Sequence, residues 1–334
     1  NPNDANVFYN LGATYENLKK WQEAADSFSQ AMQINPNHEE AYRDLLHILE
    51  FYLPKKESKN FVIKTNNLLK DQNIDIDLNN KISDEIIVNY YSRISSILDE
   101  NFHSKFTNNK SQIFRDDAKD LNCERHFQIF NTFNVIPQFC FGCYKIQIDL
   151  KNVLELFKLY FVFDKIKLEK NNLRKCMIEI RSKVTGNYKG LLYCAGLSEA
   201  QKIEKYLNPI IKKTIGEDLS IIIKRGCTEF SVPYPKYKEI DESMTYNKEW
   251  LNKEKIIDDK IQKKNKYSSK IIQETLEGLS ISDALIMKNW LFFAKSINDK
   301  SYKKFNVNIP DSEYLKLKLQ DQIDHRKNEF SKFN

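Results

Sequence analysis

Four cysteine side chains have a spacing that could hold a metal ion. Cys140 and Cys143 form a C-x-x-C pair, and Cys194 and Cys227 follow it singly. Four thiolates in a tetrahedral arrangement bind zinc or an iron–sulfur cluster, and a C-x-x-C pair alone also has the spacing of a redox dithiol. Free cysteines also pack as small apolar side chains. The sequence therefore leaves three roles open: metal ligands, a redox dithiol or core packing.

The elements around these cysteines show strand periodicity. Two helical patterns, over 152–163 and from Ser198 to about Gly216, separate the strands, and Asn152 and Ser198 have the residue types of helix N-caps. The order strand, helix, strand, strand, helix, strand is that of a ferredoxin-like βαββαβ fold. Apolar and polar residues alternate over 144–150 and 175–181, which predicts two strands. Residues 191–194 are predicted as a third strand that forms a hairpin with the second, and residues 220–224 as the fourth.

The predicted topology places the four cysteines relative to one another. In a βαββαβ sheet the first two strands run in one direction and the last two in the other. Cys140 and Cys143 precede the first strand, Cys194 ends the third and Cys227 follows the fourth. We therefore expect all four to lie at one edge of the sheet.

Basic residues form a second group on or beside the same strands. A βαββαβ unit resembles the RNA-recognition motif in topology, although Leu191-Leu192-Tyr193-Cys194 lacks the aromatic spacing of that motif's third strand. The net charge of +6 permits a nucleic-acid partner without requiring one. RNA binding and ordinary solvated strand faces both fit these residues. They are Lys145, Lys175, Arg181, Lys189, Lys224 and Arg225.

A helix–turn–helix pattern occupies the N-terminus. Gly12 and Ala24 are small enough for two helices to approach closely, and Pro36 ends the second helix. The pattern resembles the 34-residue tetratricopeptide repeat. This resemblance implies an all-α helical hairpin that binds proteins, with residues 38–53 as a capping helix. The positions that fit the repeat packing pattern are Phe8, Leu11, Gly12, Tyr15, Ala24, Phe28, Ala31 and Pro36.

A candidate partner-binding surface follows from the same resemblance. Repeat arrays bind peptides on a concave face lined by their first helices. Asn6, Tyr9, Asn10 and Ala13 are the first-helix residues that the packing positions leave free, and spacings of three and four put them on one stripe. We expect a protein or peptide partner there, with asparagine amides holding its backbone.

The remaining segments complete an α+β prediction. Residues 55–80 are polar and are predicted to be a linker, and helical patterns follow over 83–98, 120–133 and 283–294, with a polar helix over 311–330. The predicted domains are a repeat with its capping helix, a helical and linker region, a ferredoxin-like domain and a charged helical region. Their bounds are 1–53, 54–122, 123–235 and 236–334.

The function predicted from these features is that of a protein-interaction adaptor with an α+β module. Catalytic triads, phosphate-binding loops and metalloprotease motifs are absent from the sequence, which favours a protein without enzyme activity. A metal-binding or redox-active enzyme domain centred on the cysteines and an RNA-binding module are the alternatives. No apolar run reaches the roughly 20 residues of a membrane span. Six dispersed cysteines are typical of a reducing cytoplasm, where we expect the protein.

Overall fold

The structure of the protein is a computed structural model. It describes residues 3–55, 58–102, 106, 108–116, 118–181, 184–240, 243–264, 273–309, 311–313, 315–317 and 320. The polar helix predicted over 311–330 therefore lies almost wholly outside the described residues.

The described residues form helices, strands and short 3₁₀ helices. The helices are α1 (Ala5–Asn17), α2 (Trp21–Ile34), α3 (Glu39–Phe51), α4 (Phe61–Lys70), α5 (Asp84–Asn101), α6 (Cys123–Phe133), α7 (Gln138–Phe141), α8 (Val153–Lys165), α9 (Leu197–Thr214), α10 (Leu251–Lys264) and α11 (Ile281–Ser296). The strands are β1 (Gln112–Arg115), β2 (Cys143–Leu150), β3 (Arg174–Ile178), β4 (Tyr188–Ala195) and β5 (Ser220–Arg225). The 3₁₀ helices are Thr228–Ser231, Pro235–Lys238, Lys248–Trp250 and Lys300–Phe305.

The N-terminus is a helical hairpin followed by a third helix. Asp4 caps α1 by accepting a hydrogen bond from the Asn6 amide, which satisfies one of the free N–H groups of the first turn. Helix α2 packs on both α1 and α3. Its buried face carries Phe28 and several alanines, and the small alanine side chains let the helices come close together. The first three helices thus form a continuous layer.

Helix α4 corrects the linker predicted over 55–80. Asn60 caps this helix by accepting from the amides of Val62 and Ile63. Its buried face packs against α5 and α11, which stabilises it. The helix is only 10 residues long, and isolated helices of that length are marginal in water. Helix α4 is therefore stabilised by tertiary contacts, which the local sequence pattern did not indicate.

The five strands of the described residues form one antiparallel sheet with spatial order β1-β3-β4-β2-β5. Helices α8 and α9 cover one of its faces. Asn152 caps α8 as the sequence predicts, whereas Gly196, not Ser198, is the N-cap residue of α9. Gly186 turns the chain between β3 and β4 with φ of 81°. With its helical N-terminus and further helices, the protein is a mixed α+β structure.

Helix α11 joins the N-terminal helices to the sheet. It packs on α3, α4, α8 and β1, and its Ser280–Asp283 capping box fixes its start. Trp290 is fully buried and donates its indole N–H to the carbonyl of Ser111 at 2.9 Å. One hydrophobic core accordingly runs from Phe28 in the hairpin to α11. No described helix is long and apolar enough to cross a bilayer.

Candidate functional site

The sheet face opposite α8 and α9 opens into a large cavity. The cavity has a volume of 1910 Å³, and its floor carries side chains from all five strands. Its walls come from α6, α10 and the end of α3. Helix α6 is held in place by α10, because Arg125 forms ion pairs with Glu254 at 3.0 Å and with Asp258. Helices α3, α6 and α10 thus border the open face of the sheet.

Three lysines on adjacent parts of this floor form a lysine row, defined as Lys145, Lys175 and Lys224. Lys145 on β2 lies directly opposite Lys224 on β5 and directly opposite Tyr193 on β4. Lys175 on β3 faces Leu191 on β4. Side chains directly opposite each other in a sheet share one face, so all three lysines lie on the open face. The row spans four neighbouring strands, because β4 lies between β3 and β2.

Burial and mutual repulsion act on the lysine row. Burial, followed by the positive charge of Lys145, lowers the pKa of Lys175 to about 8 and that of Lys224 to about 8. At Lys145 burial is outweighed by the neighbouring Tyr193 phenol and Cys227 thiol, which raise the pKa of that lysine. The row therefore concentrates positive charge at the base of a partly enclosed cavity.

Aromatic rings support two of these ammonium groups. The Lys145 Nζ atom lies 4.9 Å from the centroid of the Tyr193 ring. The Lys175 Nζ atom lies 5.3 Å from the centroid of the Phe114 ring on the edge strand β1. Cations are attracted to the negative face of an aromatic ring at such distances. Both rings thus help to hold the lysines in place.

The acidic residues beside the row are engaged with other cations. Glu179, fully buried, pairs with Arg181 at 2.8 Å and with Lys189 at 3.2 Å. Arg181 also pairs with Glu229 at the cavity rim. These contacts use the carboxylates of Glu179 and Glu229 for ion pairs outside the lysine row.

The cysteines of the predicted metal set are divided between the two faces of the sheet. Cys140, Cys143 and Cys227 line one small void next to Lys145, together with Cys123. The Lys145 ammonium donates to the Cys227 sulfur at 3.1 Å. Three of the four predicted cysteines are thus brought to one place, and Cys123 joins them.

Cys194 is the residue that the structure separates from this set. It lies opposite Tyr144 in the β2–β4 ladder, and both side chains belong to the core under α8 and α9. Cys143 is one residue away from Tyr144, so its side chain points to the other face. The strand ends do meet, as the topology predicts, but the alternation of side chains places Cys194 on the opposite side of the sheet.

Burial disfavours the ionised form of Cys140 and Cys143. Burial raises the pKa of Cys143 to about 11 and raises the pKa of Cys140 above its usual value. A bound metal would itself displace these protons. Among the residues that the structure describes, no group of three or more His, Cys, Asp or Glu side chains is arranged to hold a metal ion. The zinc, iron–sulfur and dithiol roles stay predictions, which elemental analysis and thiol titration of the purified protein test.

At the N-terminus the hairpin helices pack through Gly12. A Cβ atom at this position would lie 2.6 Å from the Phe28 ring, which is fully buried. Ala24 and Ala31 are also buried between the helices. Leu11 does not pack between the helices as predicted, because 40% of its surface is exposed to solvent in the described part of the chain. The close approach of α1 and α2 thus depends on small residues facing one ring.

The family of this segment follows from its sequence match. Residues 5–38 match the tetratricopeptide repeat family model. This segment is a tetratricopeptide repeat. Neither the curated proteins nor the solved structures include a match to the chain. The repeat is therefore the part of the molecule for which a known family gives a functional class, namely protein–protein interaction.

Helix α1 carries the predicted partner-binding residues, and Tyr9 connects it to α3. Asn6 and Asn10 are exposed, and Ala13 is half-buried. Tyr9 is not left free as the sequence predicted, because its hydroxyl donates to Asp44 on α3 at 3.0 Å. Its ring also contacts the rings of Phe28 and His38. Tyr9 consequently links the two helices beneath the candidate surface.

Sequence reasoning missed two residues of these sites. Asp44 lies 34 residues after Asn10, one repeat period, so the periodicity itself could have placed it on the same surface. Cys123 begins α6 and reaches the void only because that helix packs across the end of the sheet. No local spacing could have indicated that contact.

Proposed function

We propose that the protein is an adaptor whose tetratricopeptide repeat binds a segment of a partner protein on the surface formed by α1 and α3. The observation that carries this proposal is the family match over residues 5–38. The exposed amides of Asn6 and Asn10 support it, since they can pair with the backbone of an extended peptide. The α+β module is then the part that the repeat connects to its partner.

The charge of the repeat indicates a basic partner. Residues 3–53 contain eight carboxylate side chains and three Lys or Arg side chains, whereas the whole chain has a net charge of +6. Asp44 and Glu16 lie on α3 and α1 beside the asparagines. Such a surface attracts lysine and arginine side chains and speeds their association.

For the module itself we propose a ferredoxin-like arrangement and a cytoplasmic location. The order β2-α8-β3-β4-α9-β5 and the spatial order β3-β4-β2-β5 support the fold assignment. The six free cysteines support a reducing compartment. Strand β1 is an addition at the edge next to β3.

Quantitative affinity purification from the native cell tests the adaptor proposal. Asn10→Ala removes one amide, and Asp44→Asn removes one charge while keeping a hydrogen-bond acceptor for Tyr9. We expect both variants to lose a shared set of co-purifying proteins. Gln33→Ala changes an exposed residue on α2 and should retain that set. Equal recovery from all variants would place the contact elsewhere.

A further inference from the structure

The ammonium groups of the lysine row repel one another, and no described carboxylate forms an ion pair with them. Lys145 and Lys224 are directly opposite each other on neighbouring strands, and like charges in such pairs destabilise a sheet. Lys224 and Lys175 form hydrogen bonds with neutral side chains. Lys224 donates to the Thr228 hydroxyl at 3.4 Å, and Lys175 donates to the Gln112 side-chain oxygen at 2.7 Å.

Within the described part of the chain no carboxylate forms an ion pair with the row, and the charge of Asp149 acts on Lys224 only from a longer distance. Each ion pair near the cavity floor joins other residues, such as Glu179 with Lys189. Lys145 has the Cys227 sulfur as its near neighbour instead. A buried cluster of cations that lacks paired carboxylates raises the free energy of the folded state unless an anion binds to it. The cavity above the row provides the space for such an anion.

The position of the lysines indicates phosphate groups rather than stacked bases. The rings of Tyr193 and Phe114 already have an ammonium group near their centroids, at 4.9 and 5.3 Å. Single-stranded nucleic acids are usually bound by bases stacked on open aromatic faces. The floor of this cavity therefore offers charge and hydrogen-bond donors but does not offer free rings.

The width of the row sets the size of the anion. Adjacent strands lie about 4.8 Å apart, so Lys145 and Lys224 are one spacing apart. Lys175 lies two strands away from Lys145 and is also displaced by two residues along the strand direction. One phosphate group can bridge the first pair but does not extend to the third lysine. We propose that the lysine row binds a small molecule that carries two or more linked phosphate groups. This proposal does not rest on the proposed binding of a partner by the repeat.

Isothermal titration calorimetry on the full chain at low salt tests the proposal with inorganic tripolyphosphate, ATP, inorganic phosphate and a short single-stranded RNA. We expect tripolyphosphate and ATP to bind, and inorganic phosphate to bind much more weakly. Lys175→Gln and Lys224→Gln should each weaken tripolyphosphate binding about tenfold or more, because each removes a charge-assisted hydrogen bond. Lys202→Gln, on the opposite face of the sheet in α9, removes the same charge and should leave the affinity unchanged.

The melting temperature without ligand provides a second readout that does not depend on binding. Lys224→Gln removes one of two directly opposed charges, so the variant should melt at the same or a higher temperature than the wild type. A lower melting temperature would contradict the unbalanced repulsion. The site would be refuted if no probe bound, or if Lys202→Gln weakened binding as much as the row variants. RNA binding that is tighter than tripolyphosphate binding and sensitive to Lys175→Gln would show a nucleic-acid site instead.

Discussion

Gly12 is a position where one methyl group changes how two helices pack. Alanine has the higher helix propensity by about 1 kcal/mol, but a side chain here meets the Phe28 ring at 2.6 Å. Because Phe28 is fully buried, the ring has no free space into which to move. We expect Gly12→Leu to lower the free energy of unfolding by about 1–3 kcal/mol. Urea denaturation of the full chain measures this change.

The control for Gly12 places the same leucine side chain at an exposed helical site. Gln33→Leu introduces an apolar side chain on the exposed side of α2. It should change the urea midpoint little. Identical midpoints for Gly12→Leu and the wild type would mean that α1 and α2 do not pack as described.

Glu50 is a second residue with a measurable role, since it ties α3 to α11. Its carboxylate accepts from Ser282 at 2.8 Å and pairs with Lys110 at 3.2 Å. Burial alone would raise the pKa of Glu50, but the His47 and Lys110 interactions outweigh it and lower this pKa to about 2. A carboxyl group with a lowered pKa stabilises the fold above its ordinary pKa, and this stabilisation is lost as the pH falls through the folded value.

The pH dependence of the Glu50→Gln variant follows from the lowered pKa of Glu50. Near neutral pH the variant should be less stable than the wild type by about 1–3 kcal/mol. The difference should shrink as the pH falls from about 4.5 to about 2, where the wild-type carboxylate takes up its proton. Chemical denaturation of both proteins across this range measures it. A difference that is constant with pH would show that the charge of Glu50 is not involved.

Cys194 shows the limit of residue-level prediction. The order of strands is enough to bring its strand end beside those of Cys143 and Cys227. The face on which a side chain lies depends on the exact register, and a shift of one residue reverses it. The sequence alternation does not fix that register across strands that are far apart in the chain.

At the scale of elements, a buried polar network joins β1, α8 and α11. Arg115 pairs with Asp164 at 2.7 Å and with Asp283 at 3.3 Å, and it also donates to the Tyr160 hydroxyl. The carboxylates and the phenol outweigh the effect of burial and raise the pKa of Arg115. The three elements are thus held together by one charged group within the core.

Removing Arg115 should leave two buried carboxylates without their shared cation. We expect Arg115→Met to cost about 3–5 kcal/mol of unfolding free energy. The comparison variant is Arg43→Met, which breaks an exposed ion pair and should cost at most about 1 kcal/mol. Urea midpoints of the two variants provide the measurement, and similar values would argue against a structural role for the network.

The elements that the sequence predicted are those with local signals. Asn152 and Ser83 are N-cap residues, and β2 alternates apolar and polar residues along its whole length. The missed elements, α4 and β1, are short and take their stability from partners elsewhere in the chain. Strand β1 has four residues and pairs with β3, which follows 59 residues later. Local periodicity does not contain information on such pairings.

At the scale of the molecule, the two candidate sites adjoin each other. His47, Glu50 and Phe51 at the end of α3 form part of the wall of the sheet cavity. The repeat surface on α1 and α3 therefore leads toward the lysine row, and the two surfaces have opposite charge. This arrangement depends on how α3, α6 and α10 close around the sheet, so the separate segments could not predict it.

The most direct test of the adaptor proposal is site-specific photo-cross-linking in the native cell. A photo-reactive amino acid replaces Asn10 on the partner-binding surface or, as the matched control, Gln33 on the exposed side of α2. We predict that position 10 forms a cross-link to one protein, through a segment rich in lysine or arginine, and that position 33 does not. Cross-links of equal yield at both positions, or at position 33 alone, would contradict the proposal that this repeat surface binds the partner.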